Sequence, residues 1–146
     1  MINHKYLITV VDGQGGGIGR QCIERLTKCL PKELPVVIRA LGTNGLATSA
    51  MLKAGASDGA TGENAIIHNV KKADIIMGPI GISIPHAMLG ELSPAIAEAI
   101  GASDAYRILI PFDGCSTKIV VINEGTLQQY IESAVELAIN KLHEYN

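Results

Sequence analysis

Residues 5 to 11, KYLITVV, form an unbroken β-prone apolar run that stops at Asp12 and a cluster of glycines, the pattern of a strand buried on both faces. Directly afterwards Ile18, Cys22, Leu26 and Leu30 recur at helical spacing, with Ile23 and Cys29 widening the stripe until Pro31 ends it. The alternation then continues. PVVIRAL, 35 to 41, reads as a second strand. Thr43 or Asn44 can cap a helix carrying Leu46, Ala50 and Leu52 up to Gly55, and a short strand is expected near 56 to 60. Thr61 and Asn64 are start signals for a helix through Lys72, and ADIIMG, 73 to 78, is a further strand.

Beyond a connection containing Gly and Pro, Ser93 followed by Pro94 predicts an N-cap with proline at the first helical position, for a helix that Gly101 ends. YRILIP, 106 to 111, is the next strand. KIVVI, 118 to 122, follows too closely for a parallel crossover, so it is expected to pair antiparallel at an edge or in a hairpin. Thr126-x-x-Gln129 is a capping box opening a long amphipathic helix with Leu127, Ile131, Ala134, Val135, Ala138 and Leu142 on one face. Strand and helix alternation of this kind predicts one α/β domain over residues 1–146: a Rossmann-like, doubly wound, mostly parallel sheet in a three-layer α/β/α sandwich. Ligands of such sheets lie beyond the carboxyl ends of the strands, where the strand order reverses. The loops at 12–18, 42–44, 60–64, 78–91 and 111–117 are therefore where function is expected.

Composition narrows the function classes. Apolar residues are 47% of the 146 and charged residues 18%, enough to build a core, while aromatics are 3% with no Trp and one Phe, so that core is aliphatic. Twelve Lys and Arg against 14 Asp and Glu give a net charge of −2 without any basic run, which argues against a nucleic-acid partner. The longest apolar stretch, Ile75 to Pro85, is broken by Gly78, Pro79, Gly81 and Pro85, and the apolar start of the chain is too short for a signal peptide. A cytoplasmic protein with no membrane partner is expected. Cys22 and Cys29 lie seven residues apart on one helix, ~10.5 Å and beyond disulfide reach, so both read as small thiols in a reducing compartment. No Cys/His spacing points to a metal.

The strongest chemical signal is DGQGGGIG, Asp12 to Gly19, between the first strand and the first helix. It is not a P-loop, since no Lys falls between Lys5 and Lys28, and in a strict G-x-G-x-x-G register the third glycine would fall on Ile18. Gly13-x-x-x-Gly17-Ile18-Gly19 resembles the TGxxxGIG loop of short-chain dehydrogenases, with Asp12 in place of the Thr. Glycines let backbone N–H groups approach a pyrophosphate, and the helix dipole favours its charge. The resemblance implies NAD or NADP at Gly13, Gln14, Gly15, Gly16, Gly17 and Ile18. ADIIMGPIG, 73 to 81, looks like the cofactor-lining strand of nicotinamide-binding domains, which adds Gly78, Pro79 and Ile80.

Two features depart from the dehydrogenase pattern. The acid expected after the second strand for a ribose is replaced by Leu41-Gly42-Thr43-Asn44, leaving Thr43 and Asn44 to hydrogen-bond a ribose or a 2′-phosphate. The catalytic Tyr-x-x-x-Lys is absent, because none of Tyr6, Tyr106, Tyr130 and Tyr145 has a Lys four residues on. Asp12 itself is expected to accept loop N–H groups as an Asx turn.

Across nearly its whole length the chain resembles a family of short bacterial Rossmann-like proteins of unassigned function. VVDGQGGGIGRQ at 10–21, ALGTN and ATSAMLKAGA within 40–56, ATGENAI at 60–66, ADIIMGPIGI at 73–82 and MLGELSP at 88–94 carry that resemblance, which implies the fold and a nucleotide cleft. Candidate catalytic groups are Cys115 as a nucleophile or redox thiol, and His86 with Glu91 as an acid/base pair. A small oxidoreductase completed by a second subunit is one expectation; a non-catalytic nucleotide or anion sensor or scaffold is the other. Tyr130 and Leu137, off the main stripe of the last helix, point to a homo-oligomer.

Overall fold

The computed structural model describes residues 4–112 and 117–146. Among these residues five strands and five helices alternate: β1 (Tyr6–Asp12), α1 (Gly17–Cys29), β2 (Val36–Gly42), α2 (Gly45–Lys53), β3 (Asp58–Thr61), α3 (Glu63–Val70), β4 (Ile75–Pro79), α4 (Pro94–Ala102), β5 (Tyr106–Ile110) and α5 (Leu127–Tyr145). The strands form one sheet in the order β3-β2-β1-β4-β5, with every neighbouring pair parallel. This is the doubly wound, Rossmann-like sandwich.

Parallel strands must be covered on both faces, and alternate side chains along each strand feed opposite layers. Ile8 and Val10 of β1, Ile38 and Ala40 of β2, and Ile75 and Met77 of β4 pack on Cys22, Ile23 and Leu26 of α1 and on Ile131, Val135 and Leu142 of α5. On the other face Val11, Leu41 and Ile76 meet Ile66 and Val70 of α3 and Ile96 and Ile100 of α4. Each buried aliphatic side chain contributes about 1.5–3 kcal/mol of transfer free energy, so an interior with almost no aromatic residues is sufficient.

The helix starts follow their local chemistry at three of four expected places. Asn44 caps α2, its side chain accepting from Ala47 N–H at 2.9 Å. Ser93 accepts from Ile96 N–H at 3.2 Å, with Pro94 following. Thr126 and Gln129 close their capping box at 3.2 and 2.9 Å. The fourth differs: the N-cap of α3 is Gly62, φ 102°, while the Thr61 hydroxyl donates to Thr48 Oγ1 at 2.8 Å and Asn64 already lies in the first turn. Gly101 does not end α4, which continues to Ala102.

The expected strand at 118–122 does not form. Those residues are irregular, with Val120 92% and Ile122 fully exposed, so half of the apolar run gains no burial from its surroundings. Cys22 is buried and Cys29 half-buried, both as free thiols. Tyr130 packs against the core and accepts the Gly125 N–H on its hydroxyl, whereas Leu137 stays 49% exposed. No helix among the described residues is long and apolar enough to cross a membrane.

Candidate functional site

Strand order reverses beside β1, whose chain continues to β2 on one side while β4 lies on the other. The carboxyl ends of β1 and β4 therefore diverge into separate loops, and the gap between them is a crevice. A cavity of about 520 Å³ occupies it, walled by the Asp12–Ile18 loop with Gln21, by Pro79 to Gly81 and Ile84 to Met88 after β4, and by Phe112, Thr117 and Leu127. Its volume falls within the range of small-molecule and cofactor clefts.

Asp12 shapes the loop. It is 5% exposed, and its two carboxylate oxygens accept the N–H groups of Gly13 and Gly19, each at 2.8 Å. The Asx-turn role is thus extended into a brace between the end of β1 and the first turn of α1. Burial pushes the Asp12 carboxyl above its ordinary range, against the lowering effect of the Gly19, Gly13 and Ile18 N–H groups. Gly16 takes the left-handed conformation, φ 71°, at the N-cap of α1 and lies against the α2 backbone. Among the described residues the N–H groups of Gly15 and Gly17 have no acceptor, and nothing lies within 4 Å of where a side chain would project from either. Both residues line the cavity, so two unpaired donors at a helix N-terminus lie at its wall, an arrangement suited to an anion.

The segment from Ile80 to Leu92 covers the second side. After a 3₁₀ turn at Ile80–Ser83 it is pinned into the α3/α4 layer by Ile82 and Leu92, both fully buried. Between these anchors it closes on itself through His86 N–H to the Leu92 carbonyl at 2.8 Å and Leu92 N–H to the Ala87 carbonyl at 3.1 Å. His86, Met88 and Leu89 all have positive φ, 68°, 60° and 56°, and so does Gln14 in the facing loop, at 48°. Non-glycine residues hold this conformation only where their surroundings enforce it, and such residues cluster at ligand sites.

Glu91 ties the two loops together. Its Oε1 accepts from Gln14 N–H at 3.0 Å, from the Thr43 hydroxyl at 2.7 Å and from Asn44 Nδ2 at 2.7 Å. Asn44 also donates to the Gln14 carbonyl at 3.0 Å. The Gln14 N–H, then Thr43 and Asn44, hold the Glu91 carboxyl below its ordinary range.

Of the residues singled out from sequence, Gly13 to Ile18, Pro79 and Ile80 line the cavity together. Thr43 and Asn44 stand next to the loop but hold Glu91, and Gly78 lies within the sheet, where a side chain would collide with the Val11 carbonyl. His86 reaches the cavity wall, whereas the Glu91 carboxylate turns toward Thr43 and Asn44, so the two are not hydrogen-bonded as an acid/base pair. Cys115 lies outside the described residues. Sequence reasoning missed the placement of Glu91 at the end of β2, and the only signal for it was the acid missing from that position.

No curated protein matches the chain. The sequence model of one family matches residues 7–143, from β1 through the glycine loop and the Ile80–Leu92 segment into the last turn of α5, and the chain therefore belongs to the family described as Domain of unknown function (DUF3842).

Proposed function

We propose that this protein binds NAD or NADP in the crevice between β1 and β4, with the pyrophosphate on the Gly13–Ile18 loop. The observation that carries the reading is the pair of N–H groups of Gly15 and Gly17, at the N-terminus of α1, which have no acceptor among the described residues and belong to residues lining the cavity at the reversal of strand order. Pro79 and Ile80, at the far side of the same cavity, offer an apolar wall for a nicotinamide ring. Gly13, Gly17, Ile18 and Gly19 follow the short-chain dehydrogenase pattern, with Asp12 bracing the loop from inside. The chemistry we assign is a small cytoplasmic oxidoreductase acting as a homo-oligomer. Leu137, exposed on α5, would face a second subunit.

A thermal-shift panel of NAD(H), NADP(H), FAD, coenzyme A and ATP tests the reading. A nicotinamide nucleotide at 100 times its dissociation constant adds ~2.7 kcal/mol and should raise the melting temperature selectively. A flat response across the panel would overturn it.

A second reading, a non-catalytic anion sensor, is favoured by one contact. The Gln14 N–H already binds a carboxylate, that of Glu91, so the loop can exchange an internal anion for an external one. Shifts by simple anions such as phosphate with none by nicotinamide nucleotides would select this alternative.

A further inference from the structure

An acid that accepts the ribose hydroxyls of a dinucleotide is expected at the end of the second strand, where this chain has Leu41-Gly42-Thr43-Asn44. The fold delivers a carboxylate to that place from a distant segment. Glu91 sits 48 residues beyond Thr43, yet its Oε1 accepts from Thr43, from Asn44 and from the Gln14 N–H of the glycine loop. Three donors on one oxygen fix the carboxylate, and Oε2 has no hydrogen-bond partner among the described residues. The side chain is exposed at the rim of the loop, so Oε2 is open to a ligand. A Cβ added at Gly13 would lie 2.7 Å from Thr43 Oγ1 and 3.3 Å from Glu91 Oε1, so the loop backbone and this carboxylate are in direct juxtaposition.

We propose that Glu91 is the ribose-recognising acid of the cleft, accepting the adenosine ribose hydroxyls on Oε2 and selecting NAD over NADP. This rests on the dinucleotide reading above. A 2′-hydroxyl donates to a carboxylate; a 2′-phosphate has no proton to donate near neutral pH and is repelled by the charge. Neither of the segments that meet at this carboxylate, 40–48 and 84–93, contains a Lys or Arg that would attract a 2′-phosphate. The hydrogen bonds that hold Glu91 below its ordinary range keep it charged wherever the protein is folded near neutrality. The left-handed residues His86, Met88 and Leu89 form the turn that aims it, which gives that conformation a purpose.

The test is titration calorimetry on the full chain with NAD⁺ and NADP⁺, and with 5′-AMP and adenosine 2′,5′-bisphosphate, which differ only in the 2′-phosphate, as probes of the ribose position alone, for wild type and Glu91→Gln. Wild type should bind NAD⁺ at least about tenfold more tightly than NADP⁺, and 5′-AMP more tightly than adenosine 2′,5′-bisphosphate. Glu91→Gln keeps the size and an acceptor oxygen, and it should narrow both ratios to within about threefold through tighter binding of the 2′-phosphorylated ligands. NAD⁺ binding without a preference, or a preference unchanged in Glu91→Gln, would overturn the role of Glu91 and leave the cleft reading standing. Failure of all four ligands to bind would overturn both. Melting curves establish that the variant is folded; if it is not, equal wild-type affinity for 5′-AMP and adenosine 2′,5′-bisphosphate is sufficient to reject the proposal.

Discussion

Two adjacent glycines should respond to the same substitution in opposite ways. At Gly16 a Cβ would stand 2.9 Å from both the Cα and the carbonyl oxygen of Ala47, backbone atoms of α2 that cannot swing aside, and φ is 71°. The left-handed conformation costs an alanine about 1–2 kcal/mol. Overpacking against a fixed helix adds about 1–3 kcal/mol. Gly16→Ala should therefore lose about 2–5 kcal/mol, which at roughly 3 °C per kcal/mol for a chain of this size lowers the melting temperature by roughly 6–15 °C. At Gly15 nothing lies within 4 Å and φ is not in the left-handed region, so Gly15→Ala should leave stability unchanged or raise it by up to about 1 kcal/mol through a less flexible unfolded chain. Its methyl group would stand in the space through which a pyrophosphate reaches the loop, so nucleotide affinity should fall on the order of tenfold or more. Urea unfolding gives the first quantity and calorimetric titration the second. Equal destabilisation by the two variants, or a silent Gly16→Ala, would refute the packing argument whatever the ligand proves to be.

The two carboxylates of the loop should titrate with opposite signs. Asp12 is raised by burial above 3.8, so the stability it contributes is fully present below that value and is lost as pH rises through its folded value; Asp12→Asn should gain on wild type as pH climbs toward neutrality. Glu91 is lowered below 4.5 by Gln14, Thr43 and Asn44, so its contribution is present above 4.5 and lost as pH falls through its folded value, and Glu91→Gln should remove that acid-side loss. Urea midpoints across pH for the three proteins check both signs, and parallel profiles would contradict the assignments. Burial pushes the Cys22 thiol up to about 12, so maleimide labelling read by peptide mass should spare Cys22 in the native protein and modify it in urea; rapid native labelling would show that the α1 face opens.

Much of the fold is written locally. An apolar run such as KYLITVV needs no distant information to become a buried strand, because burial on both faces is the only way to remove it from water. Asn44, Ser93 and Thr126 satisfy N–H groups within three residues of themselves, and the glycine loop between β1 and α1 is likewise a matter of adjacent residues. Those signals sufficed for the doubly wound class and for the position of the crevice.

Signals that depended on distant partners misled or stayed silent. KIVVI has strand-forming residues, yet a strand exists only where a neighbour's ladder continues along it, and 118–122 remain irregular with Val120 and Ile122 in solvent. Thr61 has the side chain of a helix cap, but Thr48 of α2 takes its hydroxyl once β3 is laid beside β2. Glu91 looked like the partner of His86, five residues away, and the folded chain turns it to Thr43 and Asn44 instead. The physical reason is common to all three. Burial and capping are satisfied by the chain's own next few residues, whereas the partner of a strand edge, a hydroxyl or a carboxylate is chosen by which loops the sheet order β3-β2-β1-β4-β5 brings together.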